Sequence, residues 1–218
     1  MEEFKKYGVN ALFTTKHSSD IKNIIGTEGK NIIYINQVHG DNVIKVSEFT
    51  GKITDADGVM TDNPQNILIT KYADCVPLYF YDINKHIIAS VHSGWKGTYL
   101  KIGEKAVYKM KENYGSDPEN IICAIGPSIG PENFEIGEEV YLKIKSVYTD
   151  EDLYKKNNSN KFIFNLWEAN RRLLVKSGIK EKNIITAAMC TYEMNDMFFS
   201  YRRENGNTGR MSALICFE

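Results

Sequence analysis

The chain has 218 residues, of which 25% are charged and 42% hydrophobic, the composition of an ordinary globular protein. Its 27 basic and 28 acidic residues leave a formal net charge of −1, which excludes the basic surface of a typical nucleic-acid binder. Its apolar runs reach about six residues, far short of the roughly 20 that a membrane helix needs. With no signal-peptide pattern at the N-terminus, we expect one cytoplasmic domain over residues 1–218 and no membrane partner.

The first half of the chain is rich in predicted strands. Its β-branched and aromatic runs are separated by Gly, Asn, Asp or Pro, which is the usual strand pattern. Several runs are apolar at consecutive positions, which is typical of strands covered on both faces. The predicted strands span residues 31–35, 42–49, 67–70, 78–81 and 87–91.

The pattern changes to a helical period after residue 94. Apolar residues recur there at three- and four-residue steps with lysines and glutamates between them, which predicts one amphipathic helix over 95–114. The whole order of elements predicts an α/β (α+β layered) fold, with mixed β-sheets flanked by helices. The remaining predictions are strands over 121–125, 184–189 and 212–217, helices over 136–147 and 166–177, and a solvated loop over 155–161.

Three short peptides carry possible metal ligands: His39 in NQVHG, Cys75 in ADCVPL and His92 in VHSGWKG. Two imidazoles and one thiolate leave the fourth position of a tetrahedral zinc ion open, as catalytic zinc sites do. Taken alone, His39 is better explained as a solvated loop histidine. His17 and His86 have polar neighbours, so we expect both at the surface.

Asp74 precedes the candidate ligand Cys75. A thiolate beside a carboxylate is disfavoured unless a cation lies near, so a bound metal would reconcile the two groups. Three roles are therefore open for Asp74: orienting a ligand, acting as a general acid or base, or capping a turn.

Two segments could bind an anion such as phosphate. Residues 93–97 follow a strand and open a helix, and Lys96 adds a positive charge there. Residues 200–210 contain three arginines among glycines and hydroxyls, where guanidinium groups can hold a phosphate in a bidentate manner: Arg202, Arg203 and Arg210. The alternatives are a plain tight turn for the first segment and a solvated hairpin loop for the second.

Six motifs occur in order along the chain: NQVHG at 36–40, DADG at 55–58, ADCVPL at 73–78, HSGWKGT at 92–98, GPSIGP at 126–131 and FSYRR at 199–203. Together they resemble the YfiH/YlmD-like purine nucleoside phosphorylase family, long labelled polyphenol oxidase (laccase). The resemblance covers nearly the whole chain.

The resemblance implies a YfiH-like domain that holds Zn²⁺ through His39, Cys75 and His92. It also implies phosphorolysis of adenosine, inosine, guanosine and methylthioadenosine to base and sugar 1-phosphate, together with deamination of adenosine. The implied partners are purine nucleosides and inorganic phosphate, with a homodimer as a possible assembly. The candidate catalytic residues are Asp74, Cys75 and His92, and the candidate phosphate or substrate residues are Lys16, Gln37, Ser93, Lys96, Arg202 and Arg203.

The chain departs from the family pattern in two places. Lys16 stands where the family has an arginine, and lysine cannot form the same bidentate fork. Residues 132–134 read ENF where the family often has Cys-Cys-Tyr. The chain also lacks the His-x-Glu…Pro-Cys-x-x-Cys signature of known zinc deaminases, so Asp74 is the expected proton carrier in any deamination.

Other chemistries compete with the zinc phosphorylase. A multicopper oxidase needs many imidazole ligands, and the chain has only four histidines, so copper is less expected than zinc. A second enzyme class would use Cys75 as a nucleophile activated by His92. A third interpretation is a non-catalytic module that binds zinc for structure alone. His39 favours the metal site, because a Cys–His pair has no obvious use for it.

Overall fold

The computed structural model describes residues 1–18, 26–47, 51–53, 55–157 and 161–218. Its first sheet has five strands in the order β1-β14-β6-β2-β4. Parallel pairs join β2 to β4 and to β6, and antiparallel pairs join β14 to β1 and to β6. These strands are β1 (Val9–Phe13), β2 (Asn31–Ile35), β4 (Gly51–Ile53), β6 (Asn66–Tyr72) and β14 (Met211–Phe217).

A second sheet has six strands in the order β13-β9-β7-β8-β5-β3. Its central hairpin pairs β7 with β8 in antiparallel register, with Val76 opposite Ser93 and Pro77 opposite His92. This register brings the start of β7 beside the end of β8. The strands are β3 (Val43–Lys45), β5 (Gly58–Thr61), β7 (Val76–Asp82), β8 (Ile87–Ser93), β9 (Ile121–Ile125) and β13 (Ile184–Thr186).

Helices and a small third sheet complete the described structure. The third sheet has the order β10-β12-β11 and joins its strands in antiparallel pairs. Its strands are β10 (Glu135–Ile136), β11 (Tyr154–Lys156) and β12 (Phe162–Phe164). The α-helices are α1 (Glu2–Lys5), α2 (Trp95–Tyr99), α3 (Ile102–Tyr114), α4 (Glu138–Lys145) and α5 (Leu166–Lys176).

The six-stranded sheet is buried on both faces. Alternate residues of β7 contribute to two separate cores, because successive side chains of a strand point to opposite faces. Leu78 and Phe80 pack with residues of α3 and α5, whereas Tyr79 and Tyr81 pack with residues of the first sheet. The prediction of strands covered on both faces is therefore confirmed, as is the mixed α/β fold with helices beside mixed sheets.

Several predicted elements differ in their bounds. The helix predicted over 95–114 is divided, because Lys101 has φ +61° between α2 and α3 and a left-handed residue ends a regular helix. In the range 136–147, Ile136 pairs in β10 and the helix begins only at Glu138. Within 155–161, the first two residues belong to β11, and residues 158–160 lie outside the described residues. Of the strand predicted over 42–49, β3 keeps three residues, and 48–49 are likewise outside.

No strand is predicted from the sequence at β1, β4, β5 or the three short strands of the third sheet. In the described part of the chain, no helix is long and apolar enough to cross a membrane.

Candidate metal centre

His39, Cys75 and His92 meet in space. Their candidate ligand atoms all lie within 4.8 Å of one another, and they form the one such group of three among the described residues. The two imidazole rings are 4.9 Å apart between centroids and nearly perpendicular, at 82°. The three residues are separated by up to 53 positions in the chain, so the fold brings distant segments together in one small volume.

The β7–β8 hairpin brings two of the three residues together. Cys75 directly precedes β7, and His92 is the penultimate residue of β8, opposite Pro77. Gly94 follows β8 and lies against the thiol, so that a Cβ at this position would stand 2.8 Å from the Cys75 sulfur. The glycine in HSGWKG therefore leaves the space that the cysteine sulfur occupies.

His39 reaches the site from the loop after β2. It has φ +58°, a left-handed conformation that a non-glycine residue seldom adopts. The carboxylate of Asp57 accepts hydrogen bonds from the main-chain N–H groups of Val38, His39 and Gly40, at 3.2, 3.0 and 2.6 Å. These three bonds hold the loop in its uncommon conformation.

Asp57 also contacts the third candidate ligand. Its Oδ1 lies 2.8 Å from Nδ1 of His92, which donates because an ionised carboxylate only accepts. Asp57 is fully buried. No role is predicted for Asp57 from the sequence, although DADG is among the six motifs that carry the family resemblance. The motif marks the segment but does not show that Asp57 is buried or that it contacts His92.

The local charges favour a thiolate at Cys75. Burial raises the pKa of the Cys75 thiol, but the charge of His92 and hydrogen bonds from His39 and His92 outweigh burial and lower it to about 6. Burial lowers the pKa of His92, but the Cys75 sulfur and Asp57 carboxylate raise it to about 9. Burial likewise raises the pKa of Asp57, but the bonds from His92 and Gly40 bring it below the usual value.

The donor set fits a divalent transition metal. Zinc is commonly bound by imidazole nitrogen and thiolate sulfur, and imidazole suits copper as well. A thiol that is ionised near neutral pH can ligate without losing a further proton. Among the described residues no fourth His, Cys, Asp or Glu joins the group, so a metal held here would keep a position open.

The three residues line a cavity of about 1000 Å³. Its wall also includes four further predicted site residues: Gln37, Asp74, Lys96 and Arg202. Gln37 is fixed by two hydrogen bonds, accepting from the main-chain N–H of Lys71 and donating to its carbonyl. Lys96 is exposed, and its ammonium lies 5.7 Å from the centre of the Trp95 ring.

Asp74 binds the C-terminal loop. Its Oδ1 accepts from the Thr191 hydroxyl at 2.7 Å, and its Oδ2 accepts from the Ser200 hydroxyl and the Arg202 main-chain N–H at 3.0 and 2.7 Å. Asp74 itself has φ +81°. Both oxygens therefore hold residues 191–202 close to the residue that precedes Cys75. A catalytic role for Asp74 stays a prediction.

Three predicted substrate residues have their polar groups bonded elsewhere, outside the lining of the cavity. Lys16 donates to the carbonyl of Asn195, and the buried Ser93 hydroxyl bonds to Thr98 and Asn170. The guanidinium of Arg203 donates to the carbonyls of Thr191, Tyr192 and Phe198 and to the Glu204 carboxylate. These contacts support the fold around the site.

Further residues of the wall are cationic or aromatic. Lys71 and Arg210 add cationic side chains, and Arg210 lies 5.9 Å from the ring centre of Tyr201. Phe134, in the segment that departs from the family pattern, lies beside Arg202 at 5.6 Å. The prediction that His17 and His86 are surface residues is confirmed, since both are exposed.

Comparison with known proteins places this geometry in a family. A family model described as multi-copper polyphenol oxidoreductase laccase matches residues 14–218. Purine nucleoside phosphorylase YlmD of Bacillus subtilis (strain 168) is 31% identical over 210 residues, covering 92% of this chain and 76% of the relative. Purine nucleoside phosphorylase SERP0752 of Staphylococcus epidermidis is 35% identical over 211 residues, covering 92% and 78%.

Solved structures agree with the sequence comparison. The crystal structure of the Bacillus licheniformis hypothetical protein YfiH has a TM-score of 0.91 at 30% identity, covering 100% of this chain and 95% of that one. The crystal structure of YlmD from Geobacillus stearothermophilus has a TM-score of 0.89 at 26% identity, covering 97% and 92%. The folds therefore match over almost their full lengths.

Proposed function

Since the chain belongs to the YfiH/YlmD family, we propose that it is a zinc-dependent purine nucleoside phosphorylase. Its substrates are adenosine, inosine, guanosine and methylthioadenosine with inorganic phosphate, and its products are the base and the sugar 1-phosphate. It also deaminates adenosine to inosine. The observation that carries the proposal is the His39–Cys75–His92 cluster in the wall of a cavity that also presents cationic side chains.

Zinc would be held by His39, Cys75 and His92. When bound, it supplies a Lewis acid and lowers the pKa of a coordinated water. The open fourth position favours a catalytic ion over a purely structural one, because structural sites usually close the tetrahedron with a fourth protein ligand. The cavity beside the cluster gives a substrate access to that position.

Cationic side chains of the cavity suit the phosphate. Lys96, Arg202 and Arg210 are candidates from the sequence, and Lys71 shares the same wall. Positive groups fixed around a reacting phosphate stabilise the charge that develops in the transition state. Arg202 is the best placed of the four, because two main-chain carbonyls, of Asn133 and Glu135, hold its guanidinium.

Aromatic side chains of the cavity suit the purine. Trp95, Phe134 and Tyr201 offer flat apolar faces in the wall, and an aromatic base packs favourably against such faces. Tyr201 is 55% exposed, so it has free surface for a ligand. Asp74 is the candidate proton carrier for deamination, and its three hydrogen bonds keep its carboxylate at the edge of the cavity.

The ligand supply disfavours the laccase description. Of the four histidines, His17 bonds to the Asp196 carbonyl and His86 bonds to Tyr81, both away from the cluster. A site with several copper ions needs more imidazoles than the two that remain. The four cysteines are free thiols, which fits the reducing cytoplasm.

One observation favours a second candidate, a cysteine hydrolase. The Asp57 carboxylate, the His92 ring and the Cys75 thiol interact in the order of a Cys–His–Asp triad. A pKa of about 6 for Cys75 is also suitable for a nucleophile. Against it stands His39, which contacts the thiol and has no part in a triad.

The test is product analysis with purified protein of known zinc content. We expect adenosine and phosphate to give adenine and ribose 1-phosphate, and adenosine without phosphate to give only inosine. His92→Ala should abolish the phosphate-dependent adenine, whereas His86→Ala, a histidine at the surface, should leave it unchanged. Hydrolysis to adenine and free ribose without phosphate would contradict the phosphorylase.

A further inference from the structure

We propose that Asp57 is the positioning residue of the metal site: one buried carboxylate fixes His39 and His92 in the orientation that binds the ion. The inference rests on the metal site of the proposed function and assigns a role to a residue outside the three candidate ligands. Asp57 does not contact the cavity, so it acts through the histidines and not on substrate.

Asp57 holds His39 through the main chain of its loop. Three consecutive main-chain N–H groups converge on the Asp57 carboxylate, and the middle one belongs to His39 itself. A left-handed conformation costs a non-glycine residue free energy, so it persists only where the surroundings maintain it. The carboxylate supplies that support, because its negative charge strengthens each of the three hydrogen bonds.

Asp57 also orients His92. Asp57 binds this residue twice, through its carboxylate to the ring Nδ1 at 2.8 Å and through its carbonyl to the main-chain N–H at 2.6 Å. With the proton of a neutral ring held on Nδ1, Nε2 is left as the ligand nitrogen. A hydrogen bond of this kind sets the tautomer and orientation of a ligating histidine and increases its basicity.

The division of donors between the two oxygens makes Asp57 hard to replace. Oδ1 accepts from His39 N–H and His92 Nδ1, and Oδ2 accepts from Val38 N–H and Gly40 N–H. An asparagine has one oxygen and one NH₂ group, so in either orientation its NH₂ faces at least one main-chain N–H. In one orientation the NH₂ would also donate to His92 Nδ1, which moves the ring proton to the ligand nitrogen.

Asp57→Asn tests the inference through zinc affinity, measured by competition with a chromophoric chelator. We expect the dissociation constant to rise 10- to 100-fold, the usual effect of removing a hydrogen-bond partner of a metal ligand. Asp55→Asn is the matched control. Asp55 is exposed two residues earlier in the chain, and asparagine tolerates its positive φ. Its affinity should equal that of the unchanged protein. Far-UV circular dichroism checks that both variants are folded.

A second measurement needs no variant at Asp57. In the zinc-loaded unchanged protein, a long-range proton–nitrogen correlation spectrum reports which ring nitrogen of His92 carries the proton, with His92→Ala for assignment. A proton on Nδ1 supports the inference, and a proton on Nε2 overturns it. Equal zinc affinity in the unchanged protein and folded Asp57→Asn also overturns it. If the unchanged protein binds no zinc, the metal site of the proposed function fails instead.

Discussion

The cavity has two walls that are built in different ways. The metal wall, defined here as His39, Cys75 and His92, stands on a sheet hairpin and on the loop that Asp57 holds. The arginine wall, defined as residues 199–210, immediately precedes β14 and has no helix or strand of its own. Each wall is organised by one buried aspartate: Asp57 for the first and Asp74 for the second.

The difference concerns what maintains each wall. Main-chain ladder bonds of β7 and β8 position two metal-wall residues, whereas side-chain bonds to Asp74 and from Arg203 position much of the arginine wall. The two walls meet at one peptide, between Asp74 and Cys75, but different hydrogen bonds hold each of them. Metal binding and phosphate binding should therefore be separable by substitution.

The largest effect should follow from breaking the metal wall. Cys75→Ala removes one of the three proposed ligands. We expect loss of stoichiometric zinc and at least about a 100-fold fall in phosphorolysis, because losing only a hydrogen-bond partner of a metal ligand already lowers affinity or activity about 10- to 100-fold. Elemental analysis and adenine release measure the two effects. Cys190→Ala is the control, because that thiol accepts from Gly130 N–H outside the cavity lining. Undiminished zinc in Cys75→Ala would contradict the assignment.

In metal-free protein, the Cys75 thiol should react at a lower pH than an ordinary thiol. The fraction of Cys75 in the thiolate form increases as the pH rises through its pKa of about 6, well below the roughly 8.5 of an unperturbed thiol. We therefore expect alkylation of Cys75 to reach half its maximal rate near pH 6, and zinc to protect the thiol. Mass spectrometry of the modified peptide measures it. A midpoint near pH 8.5 would show that His92 does not lower the pKa of the Cys75 thiol.

A smaller effect should follow from Asp74→Asn, which loosens the arginine wall. The variant loses the negative charge that strengthens the hydrogen bonds from Thr191, Ser200 and Arg202 N–H, and one of its two acceptors becomes an NH₂ group, so we expect the KM for phosphate to rise about tenfold at unchanged zinc affinity. A proton-carrier role makes a different prediction. It requires a fall in kcat for deamination and loss of one limb of its pH profile. Steady-state kinetics of both reactions, at several pH values, decide between positioning and proton transfer.

The smallest effects should separate two neighbouring arginines. Arg202 lines the cavity and donates to two main-chain carbonyls, so Arg202→Ala should raise the KM for phosphate several-fold and cost less stability than Arg203→Ala. Arg203 donates to three carbonyls of its own loop region, and losing charged hydrogen bonds costs about 2 kcal/mol, or roughly 4–8 °C in Tm. Thermal unfolding and phosphate titration of both variants measure this. A larger rise in KM for Arg203→Ala would restore Arg203 as a phosphate ligand.

The clustering of His39, Cys75 and His92 could be predicted from the sequence because each candidate ligand carries its own local pattern. His39, Cys75 and His92 stand among glycines, a proline and an acid, and this composition distinguishes them from surface residues such as His17. Asp57 could not be assigned in the same way, because its role depends on a contact between the loop at 38–40 and β8 that no local pattern encodes.

The arginine wall was predicted less well for the same reason. FSYRR marks a conspicuous segment, but the sequence does not say which arginine points into the cavity, and Arg202 and Arg203 differ in just that respect. The long helix over 95–114 fails at Lys101, where a side chain that favours helix adopts a left-handed conformation. Periodicity reports the buried face of a helix and is insensitive to a single break.

The most direct test is a titration of zinc into chelator-treated protein, followed by phosphate-dependent release of adenine from adenosine. We expect no activity without metal, a linear recovery as zinc is added, and a sharp end point at one zinc per chain. Full activity in the metal-free protein, or recovery that does not depend on phosphate, would contradict the zinc-dependent phosphorylase.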